Sequence, residues 1–237
     1  MIYIFDVDGT LTPHRARVEP DFETFFRQFV AKQHTYLISG SDISKIREQL
    51  PEDILTACCG VFGCSGAEFW QQGKLQYQKD HVFPDEMLKN FQAYIDNSSY
   101  PERYGNHIEM RIGMVNISVA GRDATTAQRK HYSQWDMIAE ERKQFVEQFN
   151  NTGHPYEASA GGQISIDIVP KGYNKSMAMD EILKREPDRG LVFFGDRMAE
   201  GGNDKPLADA LEKAGPPHQA FPVTTYMDTW KELKKRV

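Results

Sequence analysis

Two aspartates separated by one residue follow an apolar run at the start of the chain. Residues 1–5 read Met-Ile-Tyr-Ile-Phe, and residues 6–10 read Asp-Val-Asp-Gly-Thr. Side chains two positions apart lie on the same side of an extended strand, so the two carboxylates should come close together. Like charges at that distance favour a divalent cation with oxygen ligands between them, most simply Mg²⁺. The same residues also fit an Asp-Gly hairpin turn without chemistry.

A second acidic motif near the other end of the chain also follows an apolar run. Residues 191–194 precede Asp196, and a glycine-rich loop then leads to Asp204. These two carboxylates supply the remaining oxygen ligands that a Mg²⁺ site needs. Lys175 is a candidate to bind the attacked phosphate and to offset the carboxylate charge. Taken alone, each of these residues also fits a solvated loop or helix end.

Four arginines are candidates for binding a phosphate group. Arg111, Arg122 and Arg129 sit in or just after strands with one polar face, and Arg15 follows the first acidic motif. The planar guanidinium group binds phosphate through two parallel hydrogen bonds. A single arginine of this kind is more often part of a surface ion pair. Four of them beside an Asp-x-Asp motif make a phosphate clamp plausible.

Alternating strand-like and helix-like runs predict the framework that positions the acidic motifs. Strands are predicted over residues 2–5, 35–38 and 191–194, and helices over residues 20–30, 42–50, 176–184 and 206–214. This alternation predicts an α/β fold with a Rossmann-like parallel sheet and helices on both faces. All three strands are followed by polar or glycine-rich residues, as expected at the carboxyl edge of such a sheet.

The middle of the chain has a different pattern. Apolar and polar residues alternate with a period of two over residues 108–112, 115–119 and 164–168, which predicts strands with one apolar and one polar face. Helical patterns over residues 85–95 and 141–149 can cover the apolar face. We therefore expect an inserted α+β cap domain with an antiparallel sheet. The predicted boundaries place residues 1–80 and 175–237 in the core and residues 81–174 in the cap.

Composition and cysteine content argue against several classes of protein and of structural site. The net charge of -6 over 237 residues argues against a nucleic-acid-binding protein. No apolar run approaches 18 residues and Met1 leads into the first strand, so we expect no membrane span, no signal peptide and a cytoplasmic location. Cys58, Cys59 and Cys64 are too few for a disulfide framework, and no histidine cluster accompanies them. We therefore expect reduced, partly buried thiols and no zinc site.

Taken together, these motifs resemble the four motifs of the haloacid dehalogenase superfamily. The matching residues are the Asp-Val-Asp-Gly-Thr motif at 6–10, Ser-Gly-Ser-Asp at 39–42, Lys175, and the segment 195–204 with its two aspartates. In that superfamily the parallel-sheet domain is the catalytic core and the inserted domain sets substrate specificity. The resemblance therefore implies that residues 1–80 and 175–237 carry the chemistry.

Over nearly its whole length the chain is also similar to the eukaryotic-type phosphomannomutases. The similarity includes Glu-Met-Arg-x-Gly-Met-x-Asn at 109–116, Gly-Arg at 121–122 and Gly-Gly-Gln-Ile-Ser-x-Asp at 161–167. These segments lie in the predicted cap, which varies widely across the superfamily, so they are more specific than Asp-x-Asp alone. The family acts on hexose phosphates, uses Mg²⁺ and forms homodimers through the cap.

The resemblance implies a role for each candidate residue. Asp6 would be the nucleophile that forms an aspartyl-phosphate, and Asp8 the general acid and base. Asp6, the backbone carbonyl of Asp8, and Asp196 would hold Mg²⁺, with Asp204 supporting the metal site. Ser41, or else Ser39, would bind the phosphoryl group with Lys175. The expected substrate-binding residues are Arg15, Ser41, Arg111, Arg122, Arg129, Ser165 and Asp167.

The resemblance further implies the reaction. A phosphomannomutase interconverts mannose 6-phosphate and mannose 1-phosphate through a hexose 1,6-bisphosphate intermediate, and the same bisphosphate primes the enzyme. Cap closure would protect the aspartyl-phosphate from water. The alternative is a Mg²⁺-dependent sugar-phosphate phosphatase of the same superfamily, which shares Asp6 and Asp8 but lets water reach the phosphoenzyme. Choice between mannose and glucose phosphates stays open, because the sugars differ in the orientation of one hydroxyl group.

Overall fold

The computed structural model describes residues 1–236 and divides them into two compact units. The first unit, called the core unit below, comprises residues 1–79 and 173–236, and the second, the cap unit, comprises Asp80–Gly172. The cap unit is thus an insertion between two segments of the core unit. Their predicted roles as catalytic core and substrate cap stay predictions at this point.

The described residues form the following strands and α-helices, in chain order. The strands are β1 (Ile2–Asp6), β2 (Thr35–Ile38), β3 (Gly60–Gly63), β4 (Glu68–Gln71), β5 (Lys74–Gln78), β6 (Ile108–Arg111), β7 (Met114–Ile117), β8 (Tyr156–Gly161), β9 (Ser165–Pro170), β10 (Leu191–Gly195) and β11 (Gln219–Pro222). The helices are α1 (Pro20–Val30), α2 (Ile43–Gln49), α3 (Glu52–Ala57), α4 (Asp85–Asn97), α5 (Thr126–Ala139), α6 (Glu141–Asn150), α7 (Met177–Arg185), α8 (Lys205–Ala214) and α9 (Tyr226–Leu233).

The core unit is built on a seven-stranded sheet. Its strand order is β11-β10-β1-β2-β3-β4-β5; neighbours from β11 to β3 pair in parallel, and β4 and β5 add an antiparallel edge. Every residue of β1 is buried. A strand buried on both faces reads as a continuous apolar run, as residues 2–5 do. The predicted parallel sheet of an α/β fold is confirmed.

Two apolar clusters show that helices cover both faces of this sheet. Alternate residues of β1 enter different clusters, because successive side chains point to opposite faces. Phe5 packs with Phe22, Phe26 and Phe29 of α1, whose spacing of three and four residues makes one apolar stripe. Ile4 belongs to the cluster that includes apolar residues of α7 and α8. Helices packed on both faces of the sheet therefore hold its carboxyl edge in place.

The cap unit contains an antiparallel four-stranded sheet in the order β6-β7-β9-β8. Val115, Ile117, Ile166 and Ile168 form its apolar face and pack with residues of α4 and α6. The inserted antiparallel sheet with helices on one face is therefore confirmed.

Four local expectations for the cap are wrong. Val119 follows β7, which ends at Ile117, and Ile164 precedes β9, which begins at Ser165. Ile112 lies in the turn between β6 and β7, where Gly113 adopts a positive φ, and not in a strand. Arg129 lies on α5 and not in or next to a strand. None of the helices formed by residues 1–236 combines the length and apolarity needed to cross a bilayer.

Candidate active site

The loop after β1 forms a tight turn that packs against Asp196, the residue that follows β10. The amide of Gly9 donates to the carbonyl of Thr12 at 3.0 Å, and that of Leu11 donates to the carbonyl of Val7 at 2.9 Å. Gly9 has a φ of +92°, and a Cβ atom there would lie 2.5 Å from Oδ2 of Asp196. Only glycine fits both the backbone conformation and this close approach.

Three carboxylates converge at the carboxyl edge of the core sheet. Asp6 ends β1, and Asp196 and Asp204 belong to the segment that follows β10; one oxygen from each lies within 4.8 Å of the others. Asp6 and Asp204 are buried. The sequence predicted that these residues meet, because the ends of neighbouring parallel strands share one edge of the sheet.

Lys175 is buried between two of these carboxylates. Its Nζ donates to Oδ1 of Asp6 and, at 2.6 Å, to Oδ1 of Asp204. Thr10 donates to the other oxygen of Asp6 at 3.2 Å, and the amide of Arg197 donates to Oδ2 of Asp204 at 2.9 Å. Both oxygens of each of these two carboxylates are therefore fixed by hydrogen bonds.

The charges of the site do not balance within the protein. Burial raises the pKa of Asp6, the ammonium group of Lys175 opposes this rise, and the charge of Asp204 adds to it. Burial disfavours the charged form of Lys175, but the carboxylates of Asp204 and Asp6 outweigh it and raise the pKa of Lys175. Burial and then Asp204 raise the pKa of Asp196. Lys175 pairs with two of the three carboxylates and His14 lies 3.7 Å from the third, that of Asp196, so the site favours an additional cation.

The donor set fits Mg²⁺. Oδ1 of Asp196 is buried and has no hydrogen-bond partner among the residues that the structure describes. An unpaired buried carboxylate oxygen is costly unless a cation or water satisfies it. Carboxylate oxygens are the ligands that Mg²⁺ prefers. Asp6 and Asp196 could therefore hold the metal, with Asp204 beside them.

Asp8 has a different environment. Its carboxyl group lies outside the three-carboxylate cluster, and its Oδ1 accepts from the amide of Arg15 at 2.5 Å and from Nε2 of Gln49 at 2.9 Å. Its side chain is 37% exposed, and His14 lies 3.7 Å from its Oδ2. The strand ends at Asp6, so the alternation that predicted adjacent carboxylates does not extend to Asp8. A partly exposed, oriented carboxyl group suits proton transfer.

Gln49 and His14 also belong to the site, although neither is among the residues predicted from the sequence. Gln49 is the last residue of α2 and also donates to Oγ1 of Thr12, at 3.1 Å. His14 bridges the two acidic motifs, because its Nε2 lies 3.7 Å from Oδ2 of Asp196. No local pattern marks Gln49, whereas His14 stands next to the acidic motif in the chain.

The serine motif lies in the loop that follows β2. Oγ of Ser39 is buried and accepts from the amide of Ser41 at 3.1 Å, whereas Ser41 is half-buried. A Cβ atom on Gly40 would lie 3.2 Å from Nδ2 of Asn203, so this loop contacts the loop after β10. Ser39 therefore helps to shape the loop, and Ser41 is the more accessible of the two serines.

A row of polar side chains crosses the sheet of the cap unit. Glu109 of β6 pairs in register with Asn116 of β7, which pairs with Asp167 of β9. Nδ2 of Asn116 donates to Oδ1 of Asp167. Arg111 lies two residues after Glu109 on the same face, and its Nη2 is 2.5 Å from Oε2 of Glu109. The face opposite the apolar cluster is therefore charged.

A second arginine converges on the same glutamate. Nε of Arg122 lies 3.1 Å from Oε2 of Glu109, and its Nη1 donates to Oδ1 of Asn116 at 3.2 Å. Burial, and then the positive charge of Arg111, lower the pKa of Arg122. Two guanidinium groups share one carboxylate, so an anion would be stabilised beside them.

The side chains of the remaining predicted residues of the cap unit, Arg129 and Ser165, donate hydrogen bonds to backbone carbonyls. Arg129 donates to the carbonyl of Arg122 at 2.6 Å and to that of Ala124 at 2.8 Å, so it supports the segment carrying Arg122. Oγ of Ser165 donates to the carbonyl of Gly161 at 2.8 Å. Ser165 lies two residues before Asp167 on β9 and shares its face.

Arg142 is a structural residue of this face that the sequence did not reveal. Its Nη1 donates to the carbonyls of Gly162 and Ser165, each at 3.2 Å, and its Nε donates to Asp136 at 2.7 Å. Arg15, the fourth predicted arginine, belongs to the core unit, where its exposed side chain follows the Asp8 loop.

Comparisons with known proteins agree on one family. A model of the family "Eukaryotic phosphomannomutase" matches residues 22–236. The chain is 32% identical to "Phosphomannomutase" of Galdieria sulphuraria, over 98% of this chain and 92% of the relative. It is 33% identical to "Phosphomannomutase 1" of Homo sapiens, over 86% of this chain and 81% of the relative.

Solved structures share the fold at low sequence identity. IMP-nucleotidase of Plasmodium falciparum has a TM-score of 0.60 and 13% identity, over 98% of this chain and 67% of that chain. Trehalose-6-phosphate phosphatase of Aspergillus fumigatus has a TM-score of 0.57 and 18% identity, over 94% of this chain and 82% of that chain. These structures share the overall fold of this chain.

Proposed function

Since the chain belongs to the eukaryotic phosphomannomutase family, whose members are isomerases, we propose that it interconverts mannose 6-phosphate and mannose 1-phosphate through an aspartyl-phosphate enzyme and a hexose 1,6-bisphosphate. One observation carries the proposal: the core unit has an acidic cluster with a buried lysine, and the cap unit has a separate set of arginines. A bisphosphate has two anionic ends. In this proposal the acidic cluster of the core unit transfers the phosphoryl group at one end, and the arginines of the cap unit bind the phosphate at the end that does not react.

Asp6 is the proposed nucleophile. One of its oxygens forms a bond to phosphorus while the bond between phosphorus and the sugar oxygen breaks. Its two oxygens accept hydrogen bonds from Lys175 and Thr10, which restrict the carboxylate to one orientation. Such restriction lowers the entropic cost of reaching the transition state. Lys175 and Ser41, with Ser39 as the alternative, are the proposed ligands of the phosphoryl oxygens.

Asp8 is the proposed general acid and base. In its acid form it donates a proton to the sugar oxygen that leaves phosphorus, and in its base form it takes a proton from the hydroxyl group that attacks the aspartyl-phosphate. The amide of Arg15 and the side chain of Gln49 hold Oδ1 through hydrogen bonds, and Oδ2, which lies 3.7 Å from Nδ1 of His14, is the oxygen proposed to carry this proton. Proton transfer and nucleophilic attack are thus assigned to carboxylates in different environments.

Asp6, the backbone carbonyl of Asp8, and Asp196 are the proposed ligands of Mg²⁺, and Asp204 supports the set. Bound Mg²⁺ neutralises charge on the transferring phosphoryl group. The buried, unpaired Oδ1 of Asp196 in the described part of the chain supports this assignment. Asp204 holds Lys175 in place through its Oδ1, so it also acts as a positioning residue.

The arginines of the cap unit are the proposed grip for the non-reacting phosphate. Arg111 and Arg122 would exchange part of their contact with Glu109 for the phosphate oxygens, and Arg129 keeps the segment of Arg122 in place. Asp167 and Ser165 would contact the phosphate and sugar hydroxyls. Arg15 of the core unit is the fourth arginine of this proposal.

We also propose that the protein forms a homodimer through the cap unit. Met137 and Ile138, near the end of α5, are 79% and 89% exposed, which is unusual for large apolar side chains. Sedimentation velocity of the purified protein should show a species of twice the chain mass, and a concentration-independent monomer would contradict the proposal.

The experiment that tests the proposed reaction follows mannose 1-phosphate by ³¹P NMR. The purified protein is incubated with Mg²⁺ and a trace of glucose 1,6-bisphosphate, and a parallel sample omits the bisphosphate. Mannose 6-phosphate without free phosphate, formed only after priming, is the expected result. Free phosphate as the main product would make the protein a sugar-phosphate phosphatase.

A further inference from the structure

The amino edge of the core sheet carries a cavity that the proposed reaction does not use. The cavity has a volume of about 450 Å³ and is lined by residues that precede β2 and β3 and by the end of α7. Asp6 lies at the other end of β1, because β1 and β2 run in parallel with Tyr3 beside Thr35 and Asp6 beside Ile38. The cavity and the acidic cluster are therefore on opposite edges of the sheet.

Three side chains of different chemistry converge in this cavity. His34 precedes β2, Cys59 precedes β3, and Glu186 follows α7. Nδ1 of His34 lies 3.0 Å from Oε2 of Glu186, and one donor atom of each of the three residues lies within 4.8 Å of the others. Imidazole nitrogen, thiolate sulfur and carboxylate oxygen are the three ligand types of zinc sites.

The spacing of these atoms is close to that of a tetrahedral zinc site. Metal–ligand distances of about 2.0–2.3 Å place neighbouring ligand atoms about 3.3–3.7 Å apart. The separation of His34 and Glu186 is near this range, and the Cys59 side chain needs to move by about 1 Å at most. A rotation of one exposed or half-buried side chain is enough for that movement.

Hydrogen bonds fix the backbone of Cys59 and the carboxylate of Glu186. The amide of Cys59 donates to the carbonyl of Thr35 at 2.7 Å, and its carbonyl accepts from Gln71 at 3.0 Å. The hydroxyl of Tyr36 donates to Oε1 of Glu186 at 3.1 Å, which leaves Oε2 directed at His34. Hydrogen bonds of this kind to a ligating carboxylate orient it for a metal.

One neighbouring cation competes with a metal for Glu186. Nε of Arg189 lies 3.6 Å from Oε2 of Glu186, but its side chain is 43% exposed. An exposed arginine loses little when its ion pair opens, because water solvates the guanidinium group. Arg185 also lines the cavity, and its guanidinium group is engaged by Glu181 at 2.8 Å.

We propose that His34, Cys59 and Glu186 form a zinc site whose fourth position is open to the cavity. Three protein ligands with one open position leave room for water or a small ligand. This proposal departs from the expectation that the cysteines serve no zinc. That expectation was based on the absence of a histidine cluster near them in the sequence, whereas folding brings His34 and Glu186 to Cys59 from distant positions.

Titration with Co²⁺, which replaces Zn²⁺ and is visible by absorption, tests the proposal. The full-length protein is kept in excess Mg²⁺, which prefers oxygen ligands and leaves a thiolate free. One Co²⁺ per chain should give a thiolate-to-cobalt charge-transfer band. Cys59→Ser should abolish the band, and His34→Gln or Glu186→Gln should weaken Co²⁺ binding at least about tenfold. Arg189→Gln should tighten it.

Cys58→Ala is the matched control. Cys58 also lines the cavity, but it is not one of the three converging donors, and it packs in the apolar cluster on the opposite face of the sheet from the one that Cys59 contacts. The control should keep the full charge-transfer band. A band that survives in Cys59→Ser, or that never forms in the wild-type protein, would overturn the proposal.

A second measurement needs no variant. Alkylation of Cys59 by iodoacetamide, followed by peptide mass spectrometry, should slow at least about tenfold when one equivalent of Zn²⁺ is present, because a coordinated thiolate is a poor nucleophile. Equal rates with and without Zn²⁺ would contradict the site. Cys59→Ser should keep mutase turnover, so the outcome is independent of the proposed reaction.

Discussion

The core unit and the cap unit use the same arrangement of charges with opposite signs. In the core unit one cation, Lys175, lies between two carboxylates, those of Asp6 and Asp204. In the cap unit one carboxylate, that of Glu109, lies between Arg111 and Arg122. The first arrangement is buried and the second is partly exposed to solvent.

This difference in burial separates chemistry from binding. Charges without water interact strongly, and removing one partner leaves the others uncompensated. Partly exposed charges are screened, so a substrate phosphate can replace an internal partner at low cost. We therefore expect substitutions in the core arrangement to impair the chemical step and stability, and substitutions in the cap arrangement to change mainly the affinity for substrate.

Asp6→Asn should have the largest effect on activity. The amide cannot form the aspartyl-phosphate, so kcat should fall by at least about 10⁴-fold. Lys175 keeps its hydrogen bond to Asp204, so the variant should fold, which circular dichroism and a thermal melt will check. Asp53→Asn, which removes an exposed carboxylate paired with Arg27, is the control and should keep full turnover. Substantial turnover by Asp6→Asn would contradict the nucleophile assignment.

Lys175→Met should have the largest effect on stability. It leaves the buried carboxylates of Asp6 and Asp204 without their cation, which should lower the free energy of unfolding by about 3–5 kcal/mol in the absence of metal. Urea denaturation measures this loss. Lys235→Met, which removes an exposed partner of Glu232, should cost less than about 1 kcal/mol. If the free energy of unfolding fell equally in the two variants, burial would not explain the contribution of Lys175 to stability.

The sequence predicted the elements whose local pattern agrees with their packing. Helix α1 was predicted at Pro20–Val30, because proline begins it and phenylalanines recur along one buried stripe. The short strand β3 contains two glycines, and β5 lies at an exposed edge, so neither had a recognisable pattern. Helix α5 buries only Tyr132 and Asp136, and periodicity did not find it. Its capping box, Thr125 with Gln128, was a signal that could have located it.

The candidate site was predictable where its residues follow strands. Asp6 and Asp196 come directly after or at the end of buried strands, so topology alone places them at one edge. Gln49 reaches Asp8 across 41 positions of sequence, and Glu186 reaches His34 across 152. Such contacts depend on how helices pack onto the sheet, and a single sequence contains no local signal for them.

Arg122→Gln should act mainly on substrate affinity. It removes one of the two guanidinium groups at Glu109 and the hydrogen bond to Asn116, so the proposed phosphate grip loses a bidentate partner. We expect KM for mannose 1-phosphate to rise about 10- to 100-fold with a smaller change in kcat, since the Asp6 cluster is intact. Steady-state kinetics measure the split. A loss confined to kcat would instead place Arg122 in the chemical step.

Glu109→Gln removes the central charge of the cap arrangement, as Lys175→Met removes that of the core arrangement. Of the substitutions considered, it should have the smallest effect on activity and stability. The amide keeps the shape of the side chain but removes the charge that Arg111 and Arg122 share. Because these groups are partly exposed, the free energy of unfolding should change by no more than about 1 kcal/mol. The freed arginines should bind phosphate more tightly, so KM should fall or stay unchanged. A loss of stability comparable to that of Lys175→Met would show that the cap arrangement, like the core arrangement, is held together by its charges.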